Sequence, residues 1–405
     1  MLGGPERIRV TENKSDFCEG RDGSLRSEGN GEGSASGFRS DLHKESQRGR
    51  WRHTYAAIDL GTNNCRLLVA KPKRDGFRVI DAFSRTVRLG EGLDETGYLS
   101  EGAMERALAA LHICAAKIRK RGVTRTRAIA TEACRMAGNG LQFVDQVAKK
   151  TGLQLDIIPA DEEARLAVAG CSSLLDDTYD AAVIFDIGGG STEIVWLDLR
   201  QMNRDSKLDN NNKGIIAWIS LPFGVVNLAE RFGVHDISPH TFEAMVSEVR
   251  ELLEGFEEAE GLRSAFQSGR AHLLGTSGTV TTLAGIYLGL AKYDRPQVDG
   301  TWASMAEVRA IARRLAKMSH EQRVQEPCIG KERADFVVAG CAILEAICQM
   351  WPCERLRIAD RGLREGMLLT LMEKADRERP RRFRNGRRKR QAKSMAASPA
   401  ADSRT

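Results

Sequence analysis

Ala56-Ala57-Ile58-Asp59-Leu60-Gly61-Thr62-Asn63-Asn64-Cys65-Arg66-Leu67 is answered further along the chain by Val183-Ile184-Phe185-Asp186-Ile187-Gly188-Gly189-Gly190-Ser191-Thr192-Glu193-Ile194. Each stretch reads as a buried apolar strand, then Asp, an apolar residue and Gly, then small polar residues, then a second apolar strand. Glycine permits a tight turn whose backbone N–H groups approach phosphate oxygens closely. An Asp at the strand end is placed to hold a hydrated Mg²⁺ beside those phosphates. One such turn would be an ordinary hairpin. Two, with Asp at the same offset, point to a clamp that grips a phosphate chain from both sides.

The pattern around these turns repeats as well. Up to about residue 152 the order is three strands, a helix, a strand and a helix, with the helix expected over 101–121 and a further strand over 153–158. The second half shows strands at 181–186, 192–198 and 215–221. Helices follow near 225 and 240–258, a strand at 272–275, and helices after Gly278, near 304–318 and over 333–350. A short strand at 356–359 leads into a last helix at 363–375. Two successive halves of this kind predict a duplicated α/β domain, the actin-like (ribonuclease H-like) ATPase superfold, with the binding cleft between the lobes. The expected division is a disordered segment over 1–53, one lobe over 54–160 and a second over 161–375, whose last helix is a candidate to return to the first. A basic disordered tail over 376–405 follows.

Composition bounds the rest. The chain has 405 residues, 41% hydrophobic, with a formal net charge of +6, which suits a globular protein rather than a disordered one. Its nine cysteines form no CxxC pair and read as reduced, buried small residues. The N-terminus has no apolar signal segment and no run approaches membrane-spanning length, so a cytoplasmic protein without a membrane partner is expected. The polar stretch 204–213 reads as a loop insertion. Arg381-Arg382-Phe383-Arg384-Asn385-Gly386-Arg387-Arg388-Lys389-Arg390 is either a solvated tail or a contact for polyanions.

Three further segments bear on chemistry. His272-Leu273-Leu274-Gly275-Thr276-Ser277-Gly278-Thr279 reads as strand, turn and helix start, where the N–H groups near Gly278 suit a phosphate. Arg135 follows a strand and is placed to hold phosphate bidentately. Asp161-Glu162-Glu163-Ala164-Arg165 is, on spacing alone, an ordinary acidic first turn of a helix.

Together these segments resemble the exopolyphosphatase / guanosine pentaphosphate phosphohydrolase (Ppx/GppA) family, in its short two-domain form, over about 54–375. The resemblance is carried by the two glycine turns, by Arg135-Met136-Ala137-Gly138-Asn139 and by Ser220-Leu221-Pro222-Phe223-Gly224. It extends to Gly275-Thr276-Ser277-Gly278-Thr279 and Asp360-Arg361-Gly362-Leu363-Arg364-Glu365-Gly366. Asn64 and Cys65 depart from the Ser and Phe often found in the first loop. The resemblance implies that Glu163 is the catalytic glutamate that orients and deprotonates water. It implies Mg²⁺ at Asp186 and Glu193, with Asp59 opposite, and phosphate on Gly61, Thr62, Asn63, Gly188, Gly189, Gly190, Ser191, Thr192 and Arg135. The implied reaction is Mg²⁺-dependent release of the terminal phosphate of inorganic polyphosphate, or alternatively of the 5′ γ-phosphate of guanosine pentaphosphate. A kinase of the same superfold and a non-catalytic sensor of phosphate chains are the remaining classes. A homodimer is also expected from the resemblance.

Overall fold

The computed structural model describes residues 49–204 and 214–378, apart from 234, 236, 257 and 258. The expected disorder of the first 48 residues, most of the 204–213 insertion and the Arg381–Arg390 run lie outside the described residues.

The first sheet holds β1 (Tyr55–Leu60), β2 (Asn64–Lys73), β3 (Gly76–Thr86), β4 (Arg125–Ala130) and β5 (Asp156–Ile157) in the order β3-β2-β1-β4-β5. The second holds β6 (Ala181–Ile187), β7 (Thr192–Asp198), β8 (Ile215–Leu221), β9 (Ala271–Thr276), β10 (Trp302–Ser304) and β11 (Arg355–Ile358) in the order β10-β11-β9-β6-β7-β8. Read from β8, the second sheet repeats the first. The opening three strands form an antiparallel meander, and the next two pair in parallel. Only β10, antiparallel to β11, is added at the edge. This duplicated order and polarity is the actin-like fold.

The long helices are α1 (Glu101–Lys120), α2 (Gly140–Thr151), α3 (Ala160–Cys171), α4 (Val225–Phe232), α5 (Pro239–Glu254), α6 (Ser277–Tyr287), α7 (Met305–Ala316), α8 (Val337–Met350) and α9 (Leu363–Arg377). Helices α1 and α2 bury Leu111 and Phe143 against Ile58 and Leu67 on one face of the first sheet. Helices α5 and α8 bury Met245 and Ile343 against Phe185 and Ile219 on the second. Covered on both faces, β1 and β6 carry nearly continuous apolar runs.

The remaining two faces are covered crosswise. Helix α3 leaves the first sheet, yet its Ala164 and Val168 pack on Ile184 and Val195 of the second. Helix α9 leaves the second sheet, yet its Met367, Leu368 and Met372 pack on Tyr55, Ala57 and Ile129 of the first. Where the two cross, backbone meets backbone. A Cβ at Gly366 would lie 1.9 Å from the Leu166 carbonyl oxygen, and one at Gly170 would lie 2.0 Å from that of Gly362.

Three expected elements differ. Strand β5 is limited to Asp156–Ile157, because it pairs only at the edge and Pro159 follows. The helix expected over 333–350 is interrupted between Lys331–Ala334 and α8, where Asp335 turns its carboxylate to Arg88 and His320 at 2.7 and 2.8 Å. The boundaries drawn at 53 and 376 also shift. Gly49–Arg52 forms a 3-10 turn, and α9 continues through Arg377 because Arg50 Nε and Asp376 Oδ2 pair at 2.5 Å. Among the described residues, no helix is long and apolar enough to cross a membrane.

Candidate active site

The two glycine hairpins face each other across a cleft of about 560 Å³. Both are closed by the same bond: Gly61 N–H donates to Asn64 O, and Gly188 N–H to Ser191 O, each at 2.9 Å. The loops touch. A Cβ on Gly190 would lie 2.7 Å from Thr62 Oγ1, and one on Gly189 would lie 3.1 Å from Asn63 N, so this run of glycines is a requirement of close approach. The loop carbonyls are tied away from the cleft. Thr62 O and Asn63 O accept from Gly90, Val87 and Arg88, and Gly188 O and Gly189 O from Val225 and Val226 at the start of α4. The N–H groups of Thr62, Asn63, Gly189 and Gly190 are thereby left for an anion. Thr62 Oγ1 and Asn63 Oδ1 are buried without a partner.

A third wall is the first turn of α6. Ser277 sits at φ +100°, a strained backbone that persists where the surroundings enforce it, and its buried hydroxyl has no partner. Gly278 lies beside Arg66, whose Nη2 would be 4.0 Å from a Cβ there.

The duplicated hairpins differ in charge opposite the strand-end Asp. Asp59 pairs across the ladder with Arg66, whereas Asp186 pairs with Glu193. The first lobe thus offers a cation where the second offers a carboxylate. Asp59, Glu163, Asp186 and Glu193 all line the cleft, and burial raises the pKa of each. Asp186 is pushed up to about 6, burial outweighing the opposing pull of Arg66. Glu193 is pushed up to about 7 by burial and then by Asp186. Its Oε1 accepts from Ser191 Oγ at 2.6 Å and Ser220 Oγ at 3.1 Å. Burial raises Asp59 against Arg66 and Arg364. Glu163 is raised well above the usual range by burial and then Glu193, with Arg135 opposing.

Most of the residues expected at the site meet there: Gly61, Thr62, Asn63, Gly188, Gly189, Gly190, Ser191 and Gly278 line the cleft with the four carboxylates. Two do not. Thr192 is fully buried and its hydroxyl donates to Phe223 O at 2.7 Å, because the ladder of β7 begins there and turns it inward. Arg135 does not reach the cleft surface. It donates to Ile158 O at 2.7 Å, to Glu163 Oε2 at 3.3 Å and to Glu132, since these acceptors lie nearer than the cleft. It orients Glu163 here. Arg66, Arg364, Tyr293 and Phe336 line the cleft without having been expected. Arg66 was traceable, because it occupies the position that Glu193 holds in the other hairpin.

The raised carboxylates set a pH dependence. Folded Glu193 binds its proton more tightly than the unfolded chain does. The stability it contributes is therefore present below about pH 4.5 and lost as pH rises through about 7. Glu193→Gln is expected to stabilise the metal-free protein at pH 8 relative to pH 5, on the order of 3 kcal/mol. Thermal melts in chelator at the two pH values check this, and equal melting shifts at both would contradict it.

The donor set suits a hard, hydrated cation. Asp59, Asp186 and Glu193 present carboxylate oxygens to one cleft, and a nearby positive charge would favour the ionised form of each, releasing its proton to water. Among the described residues no three His, Cys, Asp or Glu side chains converge into a ready cage.

Comparison with known proteins agrees with this fold. The model of the Ppx/GppA phosphatase family matches residues 68–375. The guanosine-5′-triphosphate,3′-diphosphate pyrophosphatase of Aeromonas hydrophila is 29% identical over 318 residues, covering 78% of this chain. The match spans 59% of that protein's length. The crystal structure of an exopolyphosphatase-like protein is 26% identical, with a TM-score of 0.68, covering 79% of this chain and 99% of that one. A Ppx/GppA family structure from Aquifex aeolicus is 27% identical, with a TM-score of 0.62, covering 81% and 99%.

Proposed function

The chain belongs to the Ppx/GppA phosphatase family, and from that premise we propose that it is a divalent-cation-dependent phosphohydrolase releasing the terminal phosphate of inorganic polyphosphate. The observation that carries the reading is the meeting of two anion-binding hairpins with Asp59, Glu163, Asp186, Glu193 and Arg66 in one cleft. The further arginines along its lining, Arg85, Arg333, Arg361 and Arg364, suit a long polyanion.

In this mechanism the hairpin N–H groups and Arg66 hold the non-bridging oxygens of the terminal phosphoryl group. Glu163 accepts a proton from a water aligned opposite the leaving oxygen. Its raised pKa makes it a stronger base, and Arg135 keeps its carboxylate aimed. Asp59, Asp186 and Glu193 would hold Mg²⁺, with Ser191 and Ser220 fixing the Glu193 carboxylate. When bound, the cation offsets charge on the transferring group. The bond from phosphorus to the bridging oxygen breaks, and orthophosphate and a shortened chain leave.

A second reading is 5′-phosphate removal from guanosine pentaphosphate. It is supported by Tyr293 and Phe336 in the cleft lining, since aromatic faces suit a nucleobase. The test is phosphate release with Mg²⁺ from long-chain polyphosphate and from guanosine pentaphosphate at matched terminal-phosphate concentration. Faster release from polyphosphate is expected. Faster release from the nucleotide would transfer the function to the second reading, and no release from either would end the hydrolase reading.

A further inference from the structure

Arg364 stands in the first turn of α9, just past the N-cap Gly362, and lines the cleft. This turn reaches the centre of the site: a Cβ on Gly362 would lie 3.4 Å from Thr276 Oγ1 and 3.9 Å from Asp186 Oδ2. Among the neighbours of Arg364, Arg361 and Arg295 are satisfied. Arg361 pairs with Asp299. Arg295 pairs with Glu365 at 2.7 Å, and Glu365 also accepts the Gly362 N–H at 3.0 Å. Arg364 differs from these two: like Arg66, it donates no hydrogen bond and forms no ion pair among the described residues.

Arg364 is partly buried with Arg66 and Arg295 as like-charged neighbours, so the free protein holds this guanidinium at a cost that an anion relieves. Such a cost persists where a ligand supplies the missing acceptor, as at sites that trade stability for function. The planar fork of Arg matches two oxygens of one phosphate. The open face of this side chain looks into a cleft whose hairpins already present N–H groups to an anion.

We propose that Arg364 is a catalytic residue that contacts substrate, donating to non-bridging oxygens of the phosphoryl group held between the two hairpins and complementing Arg66 on β2. This rests on the hydrolase reading for the reaction, but not for the contact. As water adds to phosphorus and gives its proton to Glu163, charge spreads over the non-bridging oxygens while the bridging oxygen departs. A guanidinium fixed against those oxygens strengthens its hold as that charge develops. The residue sits on the helix that joins the lobes, so the same contact also ties the cleft floor to the phosphate.

The experiment uses the full chain with Arg364→Met, which keeps the stem and removes the charge, and Arg364→Lys. Thermal melts are recorded with and without inorganic tripolyphosphate in chelator, and phosphate release is followed separately with Mg²⁺. Arg364→Met is expected to melt at or above the wild-type temperature without anion and to lose most of the tripolyphosphate-induced rise. Its kcat/KM should fall by about 10²-fold, and Arg364→Lys should recover part of both. A tripolyphosphate-induced rise equal to wild type in Arg364→Met overturns the contact, whatever that variant's own melting temperature. If Arg364→Met does not fold, an undiminished rise and undiminished kcat/KM in Arg364→Lys overturn it instead. A wild-type protein that releases phosphate from neither substrate, yet shows a rise that the variants lose, keeps the contact and ends the hydrolase reading. A wild-type protein with no rise ends the contact.

Discussion

Glu163→Gln is expected to lower kcat for phosphate release by about 10²–10⁴-fold while leaving tripolyphosphate binding in place. The amide keeps the shape of the carboxylate and still offers an oxygen to Arg135, which now bonds Glu163 Oε2 at 3.3 Å. What it loses is the capacity to take a proton from water. It also removes a like charge from the neighbourhood of Glu193, so the metal-free variant should melt no lower than wild type. Steady-state phosphate release, paired with tripolyphosphate-induced thermal shift, separates the two effects. A variant with near wild-type kcat would remove Glu163 from the role of base. A variant that has lost the thermal shift would make it a binding residue.

Gly366→Ala should be among the most damaging single methyl additions in the molecule. The new Cβ would lie 1.9 Å from the backbone oxygen of Leu166. No side chain can swing aside to relieve that contact, so α3 and α9 must separate. Overpacking of this kind costs about 1–3 kcal/mol, occasionally more, and lowers the melting temperature by several degrees. Activity should fall as well, because Glu163 lies on α3 and Arg364 on α9, each within a turn of the clash. Gly97→Ser is a useful comparison, since that glycine has open space around it and strain only from its φ of +72°. A melting temperature for Gly366→Ala no lower than that of Gly97→Ser would show that the helices do not meet as described.

The parts of the site that follow from local chemistry were legible in the chain. Asp59, Gly61, Asp186 and Gly188 announce hairpins because glycine, turn length and flanking apolar runs act within a dozen residues. Glu163 was different. On spacing it is an ordinary acid in a helix's first turn, and only family resemblance raised it. It reaches the cleft because α3 crosses to the other sheet, which no local pattern encodes. Arg135 shows the converse: strand-end position suggested phosphate, but two nearby carboxylates and the Ile158 carbonyl claim its guanidinium. Strand β10 is three residues long, too short to display alternation. The break before α8 depends on partners that Asp335 finds on Arg88 and His320, far away in sequence.

The crossed helices also order events in time. During synthesis the first sheet emerges early, with one face already covered by α1 and α2. Its other face, with Tyr55, Ala57, Leu68 and Ile129, must wait for Met367, Leu368 and Met372. Until α9 leaves the ribosome, that apolar face remains exposed to chaperones and to self-association. A chain interrupted anywhere before Leu363 is thus expected to lose the early half along with the late one. A nascent chain would hold both hairpins of the cleft without the helix that draws them together, and so would be inactive until the end.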